Sequence, residues 1–214
     1  MSHSPAGNRG GYLRVAAKQI KNAVSPMSHP AWSYAGWGAA ALFAVAASVW
    51  AVPGLSGVLG SGLALVMIGI AAIDARRFTI PDKLVVAGLP LGFIEASINQ
   101  SEFVTTALLD SALRGVTLGL AFLGFRTAYR LIRGREGIGL GDVKLAAVAG
   151  AWLGWMAIAV AVDVAALSAL AVVLIRALRG QQITGKTPVP FGLFFAPAIW
   201  IAWLFEAMSS RLTF

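Results

Sequence analysis

The chain has 214 residues, 58% hydrophobic and only 12% charged, with seventeen Lys and Arg against nine Asp and Glu for a net charge of +8. Soluble domains carry about 25% charged residues. Apolar stretches of membrane-crossing length, about 20 residues, recur along this chain instead. A soluble globular fold is therefore excluded, and no stretch between the apolar segments is long enough for a second folded domain.

The expected architecture is all-α: a polytopic integral membrane helix bundle of about seven transmembrane helices, with residues 1–29 as a cytoplasmic basic tail and 30–214 as the membrane-embedded domain. The tail stretch "YLRVAAKQIKNAV" sets Arg14, Lys18 and Lys21 on one helical face. It reads equally as a short basic helix on an anionic leaflet or as an unstructured segment. The tail lacks a short apolar core followed by a small-residue cleavage site, so a cleaved signal peptide is not expected. Its two histidines, His3 and His29, lack metal-ligand spacing, and the chain has no cysteine, so neither a metal nor a disulfide is expected.

Spans are expected at about 31–52, 55–73, 84–98, 104–125, from near Asp142 to the Gly154–Trp155 turn, 156–178 and 191–208. Helices are required, since the apolar lengths exceed barrel strands. Trp32, Trp37, Trp50, Trp152, Trp155 and Trp203 fall near span ends, where interfacial aromatic belts form. Fifteen of the seventeen basic residues lie in the tail or in the loops around 75–83, 126–144 and 176–186, at alternate ends of successive spans. That pattern reports topology by the positive-inside rule and not a nucleic-acid surface. It places those loops in the cytoplasm.

Acids at membrane depth are costly and point to function. Asp74 closes the second span in "AAIDARRFTIPD", and Asp142 opens the fifth in "GIGLGDVKL". Taken singly, Asp74 reads as an interfacial residue paired with Arg76 or Arg77, and Asp142 as a helix N-cap. Together, at one membrane face, they form a candidate dyad. Two nearby carboxyls in a poorly solvated site hold one proton between them. One then serves as base toward water and the other as acid toward a carbonyl. Such chemistry hydrolyses a peptide bond without cofactor, metal or covalent intermediate. Gly139 and Gly141 would leave room for a substrate backbone beside Asp142. Pro81 and Asp82 stiffen and polarise the loop after Asp74, with Pro81 a natural helix start.

Three ordered stretches give these residues a family. "IDARRFTIPDKL" (Ile73–Leu84), "GIGLGDVKLAAVAGAWLGW" (Gly137–Trp155) and "TPVPFGLFFAPAIW" (Thr187–Trp200) resemble the motifs of the bacterial type IV prepilin peptidases, the GxGD-type intramembrane aspartic proteases. The resemblance implies that Asp74 and Asp142 are the catalytic pair. It also implies a substrate class: prepilins or pseudopilins of type IV pilus and type II secretion systems. Their short basic leader would be cut at the cytoplasmic face of the bacterial inner membrane. Lys144, Pro190, Phe191 and Gly192 would support the site, although Lys144 also reads as a snorkelling lysine and Phe191–Gly192 as a plain helix start. Leu193 stands where the family usually has proline. Longer members carry a Cys-x-x-Cys insert and methylate the new N-terminus. This cysteine-free chain resembles the shorter, peptidase-only members.

The remaining charges frame the alternatives. Asp110 and Arg114, spaced i,i+4, are expected to neutralise each other. Asp163, midway along the sixth span, must face a polar bundle interior or stay protonated, and Glu95 sits late in the third. A small transporter or proton-coupled channel would use acids spread through membrane depth as a relay. An inactive secretion-system assembly protein would need neither aspartate. The expected partners are the pilin-type substrate and the lipid bilayer, with no nucleic acid.

Overall fold

The computed structural model describes residues 31–99, 101–134, 137–180 and 190–212. The chain divides into a short unit, Met1–Gly36, and a main unit, Trp37–Phe214. Of the short unit only the start of the first helix is described, so the basic helix expected in the tail, and both histidines, lie outside the described residues.

The helices are α1 (Ala31–Ala51), α2 (Leu55–Arg77), α3 (Asp82–Asn99), α4 (Val104–Arg133), α5 (Leu140–Trp152), α6 (Trp155–Leu178) and α7 (Phe191–Leu212), with a 3-10 turn at Ser101–Phe103. Among the described residues there is no strand. The expected spans coincide with these helices to within a few residues. α2 runs on to Arg77, so Asp74 falls inside its last turn instead of at its tip. Four helices, α2, α4, α6 and Phe191–Arg211 of α7, are long and apolar enough to cross a membrane. α5 is a 13-residue helix.

Core and surface divide as a membrane solvent requires. α2 and α5 occupy the middle, with Leu63, Met67, Ile70, Leu145 and Val148 all fully buried. α4 and α6 turn Leu109, Leu113, Leu120, Leu167, Leu170 and Leu174 outward, the composition expected of lipid-facing helix surfaces. Lipid tails are as apolar as these side chains, so burial alone does not hold the helices together; close packing and hydrogen bonds do. α4 lies against α5 with no room for a side chain at Gly150, where an added Cβ would sit 2.5 Å from the Arg114 carbonyl oxygen. Across the same contact Ser111 Oγ donates to the Ala151 carbonyl at 2.6 Å.

Two of the expected interfacial tryptophans are core residues. Trp152 and Trp203 are buried and meet edge to face, with ring centroids 6.2 Å apart. Trp152 Nε1–H donates to the Gly88 carbonyl at 2.8 Å, so its polar edge is satisfied inside the bundle and needs no headgroup region. Trp50 and Trp155 are exposed, as expected for an interface.

Long-range contacts define two ends of the bundle. At one end Asp74 of α2 meets Leu193 of α7, Asp82 of α3 meets Lys144 of α5, and Arg126 of α4 reaches Ile138. At the other, Ser56 meets Asn99, Glu206 meets Gly154, and Arg211 meets Pro53.

Candidate active site

The first of these ends gathers most of the residues singled out from sequence. Asp74 is 5% exposed. Its Oδ2 accepts the Leu193 backbone N–H at 3.0 Å. That donor belongs to the first turn of α7, where helix N–H groups have no intrahelical partner and the helix dipole is positive. Asp74 thus caps another helix, from a position far away in sequence. This hydrogen bonding replaces the expected interfacial pairing with Arg76 or Arg77 as the account of how Asp74 is held.

Asp142 is half-buried and sits in the first turn of α5, where its Oδ2 accepts the Gly139 N–H at 3.1 Å. The N-cap is Gly139, and Asp142 is the third helical residue reaching back to it. The expected N-cap role for Asp142 is corrected accordingly, to the acidic half of a capping box. The loop before it is fastened by α4. Arg126 Nη1 donates to the Ile138 carbonyl at 2.9 Å, and the Tyr129 ring fills the space a side chain at Gly137 would need.

The two carboxyls lie at the same end of the bundle, Asp142 in the first turn of α5 and Asp74 against the first turn of α7. Asp142 lies at the N-terminus of its own helix and Asp74 against that of α7, where backbone dipoles suit a negative charge. Beside them lies Ile80, a buried residue without an expected role, packed against Gly141 and Gly192. A Cβ on Gly141 would lie 2.8 Å from Ile80 Cβ, and one on Gly192 would lie 2.9 Å from both Ile80 Cδ1 and Asp74 Oδ2. The missing side chains at Gly141 and Gly192 are therefore filled by the protein itself. This revises the expectation that Gly141 leaves room for a substrate backbone: its glycine lets α5 close on Ile80. The signal available in the sequence was the position of Ile80 directly before Pro81.

The supporting residues resolve individually. Lys144 Nζ and Asp82 Oδ1 form an ion pair at 2.6 Å between α5 and the start of α3, with both side chains well exposed. Lys144 is thus tied to protein. The Pro81 carbonyl accepts the Leu84 and Val85 N–H groups and opens α3. Pro190 directly precedes α7. Phe191 packs against Phe195 and Phe122, with centroids 5.3 and 6.4 Å away, which anchors the start of α7 on α4. Gly139 is exposed.

The other three acids weighed from the sequence stand apart from this cluster. Glu95 and Asp110 lie at the opposite end of the bundle. Arg114 Nε donates to the Gly150 carbonyl at 3.4 Å, and no Asp110–Arg114 ion pair forms. Asp163 is exposed on the outer face of α6, so of the two expected settings, a polar interior or a protonated carboxyl, the polar interior is not the one found. The nearby inward positions of α6, Ala157, Ile158, Ala161 and Ala165, are apolar and offer an acid nothing to bond.

A family model described as "Type IV leader peptidase family" matches residues 61–178, more than half of the chain. The prepilin leader peptidase/N-methyltransferase of Burkholderia pseudomallei is 38% identical over 156 residues, covering 72% of this chain and 48% of the relative. The protein of that name from Pseudomonas aeruginosa is 36% identical over 148 residues, covering 68% and 48%. The one from Aeromonas hydrophila is 32% identical over 176 residues, covering 80% and 57%. The chain thus spans about half the length of the curated relatives it matches. No solved structure matches. Four apolar helices together with these bacterial relatives make it a multi-pass membrane protein. With Asp74, Asp142 and the start of α7, one from each of the three sequence motifs, at one end of the bundle and a family match spanning the first two motifs, the chain belongs to the type IV leader peptidase family.

Proposed function

We propose that the chain is a membrane aspartic endopeptidase that removes the short basic leader from prepilins or pseudopilins, with Asp74 and Asp142 as its catalytic pair. The observation that carries this reading is that α2 and α5 bring Asp74 and Asp142 to the same end of the bundle, around Ile80, which packs against Gly141 beside one and Gly192 beside the other.

In the proposed reaction one carboxylate takes a proton from water, and the resulting hydroxide attacks the scissile carbonyl carbon. The other carboxyl, protonated, gives its proton to the carbonyl oxygen, forming a tetrahedral gem-diol. The carboxylate that accepted the water proton then delivers it to the departing amide nitrogen as the C–N bond breaks. The second carboxyl recovers its proton from the collapsing diol, so protons balance over one turnover. The backbone N–H groups of Gly139 and Leu193 fix one oxygen of each carboxyl, leaving the other for this work.

The dyad end also carries Arg76, Arg77, Lys83, Arg126, Arg130, Arg133 and Lys144. By the positive-inside rule that end faces the cytoplasm, which puts the proposed cleavage at the cytoplasmic face of the bacterial inner membrane. A relay through membrane depth is disfavoured, because Asp163 faces outward and Glu95 sits at the far end. The test is co-expression with a candidate prepilin and intact mass of its product. Loss of the leader only when the chain is present supports the proposal, and an untouched leader across pilin-type substrates contradicts it. The same spectrum shows whether the new N-terminus carries an added methyl group, the second activity in the relatives' names.

A further inference from the structure

The end of the bundle opposite the dyad holds a cavity of about 530 Å³, within the range of small-molecule sites. Its lining is unusual for this chain. Of the seventeen basic residues in the sequence, Arg114 and Arg211 fall outside residues 1–29 and the stretches 75–83, 126–144 and 176–186, and both line this cavity. Glu95, Asp110 and Glu206 line it as well, so three of the chain's nine acids are here. The lining therefore presents both signs of charge, two guanidiniums and three carboxyls, around one cavity.

The buried wall is formed by Glu95, Trp152 and Trp203, which are 3%, 6% and 3% exposed. Glu95 Oε1 accepts Asn99 Nδ2–H at 3.1 Å, while the buried Oε2 has no hydrogen-bond partner. The Ser56 and Trp203 side chains approach this carboxyl without completing a bond to Oε2. An orphaned carboxyl oxygen costs more than a satisfied one, so a donor is called for. Both oxygens of Glu206 accept the Gly154 N–H at 3.1 Å, which holds this carboxyl against the start of α6. Arg114 and Arg211 each spend one donor on a backbone carbonyl, of Gly150 and Pro53. That leaves each guanidinium several N–H groups for an anion.

We propose that this cavity binds a zwitterionic phosphoethanolamine group, the chemistry of an aminophospholipid headgroup, with its ammonium at Glu95 and the two tryptophans and its phosphate at Arg114 and Arg211. A carboxyl beside aromatic faces is suited to an ammonium, and guanidinium pairs are suited to phosphate. The site is separate from the dyad and does not depend on the protease reading.

The test uses the full chain in detergent, titrated with phosphatidylethanolamine or phosphatidylglycerol and read by native mass spectrometry. The wild type should retain phosphatidylethanolamine in preference. Glu95→Gln, which keeps the side-chain length, should weaken that binding by about 10-fold or more, the scale of one lost charge-assisted hydrogen bond, and leave phosphatidylglycerol unchanged. Arg211→Gln, at an exposed position, provides a second variant should Glu95→Gln fail to fold, and should weaken both lipids. Competition by soluble phosphoethanolamine marks the headgroup alone as the ligand; retention of the lipid against it marks the membrane as the source. Equal retention of the two lipids by the wild type, or no effect of either substitution, overturns the proposal.

Discussion

Gly192→Ala is the most revealing single substitution in the dyad region. The added methyl would lie 2.9 Å from Asp74 Oδ2, 2.9 Å from Ile80 Cδ1 and 3.1 Å from Asp74 Cγ. Contacts this short force a side chain or the start of α7 to move, and overpacking of this kind costs about 1–3 kcal/mol. Movement of Asp74 also stretches its bond from the Leu193 N–H, now 3.0 Å, and a hydrogen bond to a charged group is worth about 1.5–3 kcal/mol. A catalytic group displaced by about 1 Å loses roughly 100-fold in rate, so a shift of a few tenths of an ångström should lower kcat about 10-fold. Leader cleavage by purified protein in detergent measures kcat, and a fluorescence melt measures stability. Gly124→Ala is the control, since a Cβ there meets nothing within 4 Å. If Gly192→Ala cleaves at the wild-type rate with an unchanged melt, Asp74 is not held as described.

Other expectations concern the pair and its surroundings. The rate should be bell-shaped in pH, because one acid and one base are needed: the acid limb is lost when both carboxyls are protonated and the alkaline limb when both are ionised. A single sigmoid would show that only one carboxyl matters. Trp152→Phe should destabilise the bundle by about 1–3 kcal/mol by leaving the Gly88 carbonyl unpaired, with kcat unchanged because the ring is far from the dyad; a fall in kcat without loss of stability would contradict this. Asp163→Ala, on the outer face of α6, should cleave at the wild-type rate, whereas a relay through membrane depth requires a strong loss.

The sequence made the helices legible because apolar length and positive loops are one-dimensional properties. It brought Asp74 and Asp142 to one end by counting crossings alone. What it did not reveal are contacts between distant segments. That Leu193 donates to Asp74, that Ile80 fills the spaces at Gly141 and Gly192, and that Lys144 pairs with Asp82 all depend on which helices neighbour one another. Trp152 and Trp203 misled for a related reason. Near a span end a tryptophan reads as interfacial, and only the packing shows it turned inward against Gly88. For Asp163 the cost of burial leaves a polar interior or a protonated carboxyl open, and the residues of α6 that face inward are alanine and isoleucine.

The central claim is that both carboxyls are needed for peptide-bond hydrolysis. Asp74→Asn and Asp142→Asn keep side-chain size and an oxygen acceptor while removing the titratable group. With a prepilin as substrate, and with melts confirming that each variant is folded, both should lose cleavage almost entirely. Normal-rate removal of the leader by either folded variant would contradict the account.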